Sequence, residues 1–349
     1  MRSGLKMVYL KNGYVFNGEK IYVQSMLNRP ADNLKENLEQ AKELEDLGCH
    51  IIRVAVPKLK DVKLVSYLKK HVSCPIVCDV HFNYKIALAA IENGVDKIRI
   101  NPGNINKKDL EKIVYACKKN NLPIRVGINS GSLETEILKE KNTTMAQKLL
   151  KSAIKTVELF EDEFNFSNIV VSIKSSNVLD VVFACEKFRR LKNNPLHIGV
   201  TEAGLKEASL VKSSIAIGAL LLNSIGETIR VSITGDPKQE VKAAYLILNS
   251  LGLEKKGIEI IACPTCGRTK INIIKIAKQV EKELKTCKKH LKVAIMGCVV
   301  NGPGEAKSCD VGIAGGDGFA VLFKKGEILK KNIPQEDVVR VLVEEVKKM

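Results

Sequence analysis

Residues 75–103 read PIVCDVHFNYKIALAAIENGVDKIRINPG, and the fold turns on how this stretch is parsed. Two short β-branched runs, PIVCDVH at 75–81 and KIRINPG at 97–103, flank a helical pattern, and both runs turn polar towards their C-terminal ends. Working outward, the same kind of run recurs as IYVQSM at 21–26, HIIRVAV at 50–56, PIRVGIN at 123–129, NIVVSIKSS at 168–176, LHIGVTEAG at 196–204 and TIRVSITG at 228–235. Amphipathic segments lie between them. Leu34, Leu38, Ala41, Leu44 and Leu47, for example, share one helix face and stop at Gly48. Eight β/α units within residues 1–251 predict an α/β fold of TIM (β/α)8 barrel type rather than an open doubly wound sheet.

The polar residues of these runs fall at corresponding places: Arg53, His81, Arg99 with Asn101, Arg125 with Asn129, Lys174, Glu202, and Arg230 with Ser232. In such a barrel the C-terminal strand ends and the loops after them build the active-site mouth, so this set converges on one face. A single arginine there is explained by a structural ion pair. Four arginines, a lysine and a histidine predict a cationic pocket, because guanidinium groups match phosphate oxygens in pairs.

After Gly252 the pattern changes. GLEKKG at 252–257 reads as a linker, and residues 258–349 read as a small α/β domain. Its expected order is a strand into CPTCGR, a helix to about Lys288, strand VAIMG, a turn, DVGIAG, a hairpin at FAVLFKKGEIL, and a final helix near 335–347. Of the ten cysteines, Cys49, Cys74, Cys78, Cys117, Cys185 and Cys287 read as buried filler. Cys263 and Cys266 form a Cys-x-x-Cys pair after a strand, and Cys298 follows another strand, which places three thiols for a metal site. Cys309 and Glu305 compete as the fourth ligand. A carboxylate holds iron less tightly than a thiolate, so a three-cysteine, one-glutamate set would leave one iron of a 4Fe-4S cluster open to an oxygen-bearing substrate.

The chain has 349 residues, 45% of them hydrophobic and 27% charged, and carries a formal charge of +17, which favours an anionic partner. Aromatic content of 5% with no basic block interleaved by aromatics speaks against nucleic acid. The longest apolar run, 215–222, is far short of the roughly 18 residues of a membrane span, and residues 1–16 lack the apolar core of a signal peptide. The expectation is a cytoplasmic protein without a membrane partner. GIAGGDG lacks Rossmann spacing and no P-loop occurs, so electrons are expected from a protein carrier, reduced flavodoxin or ferredoxin.

In order along the chain, VQSM, RVAVP, DVHF, KIRINPGN, RVGINSGSL, PLHIGVTEAG, VKSS, TIRVS, CPTCGR and MGCVVNGPGEA resemble the 4-hydroxy-3-methylbut-2-enyl diphosphate synthase family in its two-domain bacterial form, almost end to end. The resemblance implies reductive ring opening of 2-C-methyl-D-erythritol 2,4-cyclodiphosphate with loss of water. It also implies a 4Fe-4S cluster on Cys263, Cys266, Cys298 and Glu305, with the substrate among Arg53, His81, Arg99, Asn101, Arg125, Asn129, Lys174 and Ser232. Glu202 would lie beside the reacting carbons as a proton donor, and Glu305 would take part in catalysis as a displaceable ligand. Cys309 stands where the family pattern has a small residue.

A linker of six residues spans at most about 20 Å, too short to carry the small domain back over its own barrel mouth. The expected assembly is therefore a head-to-tail homodimer, as the resemblance also implies. Two other readings compete: an iron-sulfur electron carrier or scaffold, which would not require a charged barrel pocket, and a zinc-stapled nucleic-acid-binding protein, suggested by net charge and CPTCGR.

Overall fold

The computed structural model describes residues 4–285, 287, 289–298 and 308–349. The chain divides into two compact units, Met1–Leu251 and Gly252–Met349.

The first unit opens with a two-stranded antiparallel hairpin, β1 (Val8–Tyr9) and β2 (Val15–Phe16). Eight parallel strands follow: β3 (Tyr22–Met26), β4 (Ile51–Ala55), β5 (Ile76–Val80), β6 (Lys97–Ile100), β7 (Ile124–Asn129), β8 (Ile169–Lys174), β9 (His197–Ile198) and β10 (Thr228–Ile229). They are ordered β8-β7-β6-β5-β4-β3-β10-β9. A parallel bridge from Val171 to Leu196 brings β8 back to the start of β9 and closes the ring, giving the TIM barrel.

Side chains of a strand alternate between its two faces, and here the two faces carry opposite chemistry. Ile52 and Val54, Ile98 and Ile100, Ile124 and Val126, and Val171 and Ile173 point outward into one apolar layer shared with the surrounding helices. Their alternates, Arg53, Arg99, Arg125, Ser172 and Lys174, are left for the interior. A barrel interior is ordinarily filled by branched apolar residues. Here only its N-terminal end is: Phe16 of the hairpin packs with Tyr22, Ile51, Val77 and Val170 as a plug. Several of the helices begin on side-chain caps. Asn33 accepts from Glu36 N ahead of α1 (Leu34–Asp46), and Thr144 and Gln147 form a reciprocal capping box ahead of the helix Met145–Glu158.

Among the described residues, the second unit is one five-stranded sheet with two α-helices. β11 (Ile258–Ala262), β12 (Leu291–Met296) and β13 (Val311–Gly315) run parallel, and β14 (Phe319–Lys324) and β15 (Glu327–Pro334) complete it antiparallel. The helices Ile273–Glu283 and Val338–Lys348 cover one face through Ile276, Val280, Val338, Leu342 and Val346. The first helix stops at Glu283, short of the expected Lys288, with Leu284 as its buried C-cap residue; Lys288 itself lies outside the described residues. On the other face Ala294, Met296, Cys309, Ala314 and Phe323 pack together. No described helix is long and apolar enough to cross a membrane.

Candidate functional site

Strand register stacks the interior charges in a layer: Asp79 pairs with Arg99 across β5 and β6, and Arg99 with Arg125 across β6 and β7. Asp79 is the hub. Its Oδ1 accepts from Arg99 Nη1 at 2.9 Å, and its Oδ2 accepts from Arg53 Nη2 and, at 3.2 Å, from His81 Nε2. The residue is only 2% exposed. Burial alone would raise its carboxyl pKa; Arg53, the hydrogen bond from His81, and Arg99 instead hold it well below the usual carboxylate value.

Arg125 reaches across the ring. Its Nη1 donates to Gln24 Oε1 on β3 at 3.3 Å, and β3 lies four places from β7 in a closed order of eight. This bridge spans the barrel above the plug. Beneath it Lys97 sets its ammonium 4.7 Å over the Phe16 ring. His197, fully buried, places Nδ1 2.8 Å from Thr228 Oγ1. Burial first, then Arg125 and Lys174, pull the His197 pKa well below its ordinary value, so the ring is neutral.

Lys174 ends β8, is 7% exposed, and its pKa is drawn well below the ordinary lysine value by burial and then by Arg230, Arg125, Arg53 and Arg99. Arg230 is held by the buried Glu240 of the helix Pro237–Ser250, with Nη2 to Oε1 at 2.9 Å and Nε to Oε2 at 3.3 Å. Glu240 Oε2 also accepts from Ser25 Oγ at 2.8 Å. Between these strands Gly199 is indispensable, since with φ +150 a Cβ there would stand 2.2 Å from Arg230 O. Charges of one sign therefore outnumber the carboxylates in this interior, and the geometry fits a multiply charged anion.

Other expected residues sit around this centre. Asn129 closes β7 half-buried, in register with Lys174. Ser232 is half-buried, and its carbonyl accepts from Ser209 Oγ. Glu202 is exposed in the loop after β9 with φ +51, a left-handed conformation a β-carbon resists, fixed by neighbouring bonds from Thr201 N to Ser175 O and Thr234 N to Gly204 O. Asn101 is drawn aside: its Nδ2 donates to Ser132 Oγ at 2.6 Å and its Oδ1 accepts from Gly103 N at 3.1 Å, so both ends brace loops. Sequence reasoning missed Asp79, Glu240 and Gln24. Asp79 and Gln24 each had a signal: a polar residue inside a run otherwise read as strand.

In the second unit, Cys263 and Cys298 follow the C-terminal ends of adjacent parallel strands, and Cys266 lies in the loop after β11. Gly297 N donates to Cys263 Sγ at 3.2 Å. The backbone N–H of Arg268, with its guanidinium and Thr269, lowers the Cys266 thiol pKa. Lys270 N bonds to Gly297 O at 2.8 Å and ties the two loops together. N–H groups aimed at sulfur are what thiolate ligands of an iron-sulfur cluster require, so these residues fit such a group. Among the described residues no three His, Cys, Asp or Glu side chains stand close enough to hold a metal, and Glu305 lies outside the described residues. Cys309 belongs to the apolar cluster on the sheet face, 2% exposed.

Two family models match, one described as the GcpE TIM-barrel domain at residues 6–245 and the other as the GcpE protein C-terminal domain at 259–348. Similar curated proteins are named 4-hydroxy-3-methylbut-2-en-1-yl diphosphate synthase (flavodoxin). The one from Caldanaerobacter subterraneus subsp. tengcongensis is 48% identical over all of this chain and 98% of its own length. That from Clostridium acetobutylicum is 49% identical over all of this chain and 99% of its own. Among solved structures, the 7,8-dihydropteroate synthase of Vibrio fischeri covers 71% of this chain and 99% of its own with a TM-score of 0.53 at 13% identity, a likeness of barrel fold alone.

Proposed function

We infer the function from one premise: the chain belongs to the GcpE family. It is an oxidoreductase that forms 4-hydroxy-3-methylbut-2-en-1-yl diphosphate in the non-mevalonate route to isoprenoids, taking electrons from a reduced flavodoxin. Its substrate is 2-C-methyl-D-erythritol 2,4-cyclodiphosphate, which gains two electrons and two protons, loses its ring C–O bond to phosphate, and releases one water.

The observation that supports this reading most directly is the crowding of Arg53, Arg99, Arg125, Lys174 and Arg230 inside one barrel with few carboxylates. Arg53, Arg99 and Lys174 replace the hydration of the diphosphate with fixed donors, and a bound diphosphate opposes the burial and neighbouring cations that lower the Lys174 pKa. His81 and Asn129 contribute at the mouth, and Ser232 on the opposite side. Glu202, on its constrained loop, is the candidate to pass a proton to the carbon skeleton or the departing oxygen.

A 4Fe-4S cluster on Cys263, Cys266, Cys298 and Glu305 would supply single electrons and a Lewis-acidic iron. Residues 1–251 would hold substrate and 258–349 the cluster, in a cytoplasmic head-to-tail homodimer where each cluster unit serves the partner's barrel; the shortness of the connection between Ser250 and Ile258 supports that exchange.

The test is anaerobic turnover of the cyclic diphosphate by reconstituted protein with reduced flavodoxin. One linear allylic diphosphate per two electrons is expected. Tight binding of the cyclic diphosphate with no product from a protein carrying iron and sulfide would refute the reading.

A further inference from the structure

Around Asp79 the site is built from two sides. The carboxylate draws in Arg53, Arg99 and His81 from strands β4, β6 and the end of β5. On the far side of Arg99, position 127 is vacated: a Cβ on Gly127 would stand 2.7 Å from Arg99 Nη2 and 2.9 Å from its Nε. The Nε–Nη2 edge is the edge that forks onto paired oxygens, and it lies where any other residue at 127 would put its side chain. Gly127 shows no left-handed φ, so its backbone conformation alone does not call for glycine. The space does.

We propose that Asp79 is a positioning residue which, with Gly127, fixes Arg53, Arg99 and His81 as one preformed cradle, and that this spacing selects the cyclic diphosphate over other anions of similar charge. The proposal rests on the reading that this barrel binds the diphosphate. A carboxylate inside an anion pocket weakens the field that attracts the ligand, so its presence needs a compensating return. That return is orientation. Without the shared carboxylate, two guanidinium groups on nearby strands repel each other and each samples several rotamers. With it, one N–H of each is spent and the rest are held at a fixed separation. Strand register supports the same reading, since Asp79 and Arg99 are directly paired and cannot slide without moving every side chain of the strand to the other face.

The two sides of the cradle are tested separately. Asp79→Asn keeps the shape and removes the charge; Gly127→Ala keeps the charge and pushes Arg99 away. In cluster-loaded enzyme, both are expected to raise KM for the cyclic diphosphate by about 10–100-fold, the scale of an ångström of misplacement. Inhibition by inorganic pyrophosphate separates orientation from attraction: Asp79→Asn should bind it as tightly as wild type or more tightly, and Gly127→Ala within about threefold. Parallel weakening of both ligands, or an unchanged KM in Gly127→Ala, overturns the proposal. If Asp79→Asn does not fold, the Gly127→Ala pair of constants decides it. If wild type binds pyrophosphate but neither binds nor turns over the cyclic diphosphate, the functional reading fails instead.

Discussion

The two units hold their functional side chains by different means. In the barrel they grow from strand ends, are mostly buried, and are fixed by carboxylates on neighbouring elements, Asp79 for Arg53 and Arg99 and Glu240 for Arg230. In the C-terminal unit Cys263, Cys266 and Cys298 lie beyond strand ends, Cys266 is exposed, and the backbone N–H groups of Gly297 and Arg268 meet Cys263 and Cys266, the latter joined by the Arg268 guanidinium and Thr269. The first arrangement is complete before a ligand arrives. In the second, no three His, Cys, Asp or Glu side chains among the described residues stand close enough to hold a metal, so any bound metal would have to draw its ligands together.

That contrast gives the largest expected effect. Cys298→Ser should abolish the broad visible absorption of anaerobically prepared protein and all turnover, while leaving the barrel's affinity for pyrophosphate within about twofold of wild type. Loss of pyrophosphate binding in the same variant would break the comparison, because it would make the barrel depend on the cluster. Next comes Glu202→Gln. If the strained loop presents a proton, kcat should fall by about 10²–10⁴-fold with KM nearly kept. A rise in KM at constant kcat would make Glu202 a binding residue.

How legible each unit was follows from the same physics. Eight barrel strands were readable because β-branched runs recur at regular spacing, and the outward-facing residues are so apolar that the inward polar ones stand out. The hairpin β1–β2 was not readable: its strands are two residues each, and Phe16 and Val8 look like ordinary chain until Tyr22, Ile51 and Val170 are seen around them. Asp79 does not stand out within its run, since a lone acid carries no sign that Arg53, Arg99 and His81 meet on it. Glu240 lies on a helix face, where an acidic residue reads as solvated, yet it is buried against Arg230 and Ser25. Asn101 follows a strand end, as its run indicates, but that its side chain braces the loops at Gly103 and Ser132 is set by tertiary contact and has no local signal.

A third effect is confined to the barrel. His197 is neutral in the folded chain and titrates near pH 6.5 when unfolded, so below that pH the unfolded chain binds a proton the folded one refuses. Stability therefore rises with pH up to about 6.5 and falls below it, by at most about 1.4 kcal/mol per pH unit from this one group. Arg125, Lys174, Lys97 and Arg53 are the charges that depress it. In His197→Asn, the pH dependence of unfolding midpoints below about pH 6.5 should lose part of its slope. Asp79 acts in a separate window: its lowered pKa stabilises the fold above about pH 3.9 and is lost only as pH falls below that. An unchanged slope in His197→Asn would place the barrel's acid sensitivity elsewhere.

The smallest expected effect sharpens the comparison most, because it concerns a cysteine of the C-terminal unit that behaves like barrel core. Cys309 is packed with Ala294, Met296, Ala314 and Phe323, and the partly buried Cys263 borders the same cluster. A thiol packed into that apolar cluster acts as a small hydrophobe and reaches a metal only if it turns outward. Cys309→Ala should cost about 1 kcal/mol through the small void it leaves, and leave iron content and turnover within about twofold. Cys309→Val tests the same packing from the other side, since added volume there should destabilise without bleaching. Were Cys309→Ala to lose iron while Glu305→Ala kept it, the fourth ligand would be the thiol. The cluster unit would then hold its metal by side chains drawn out of its own core.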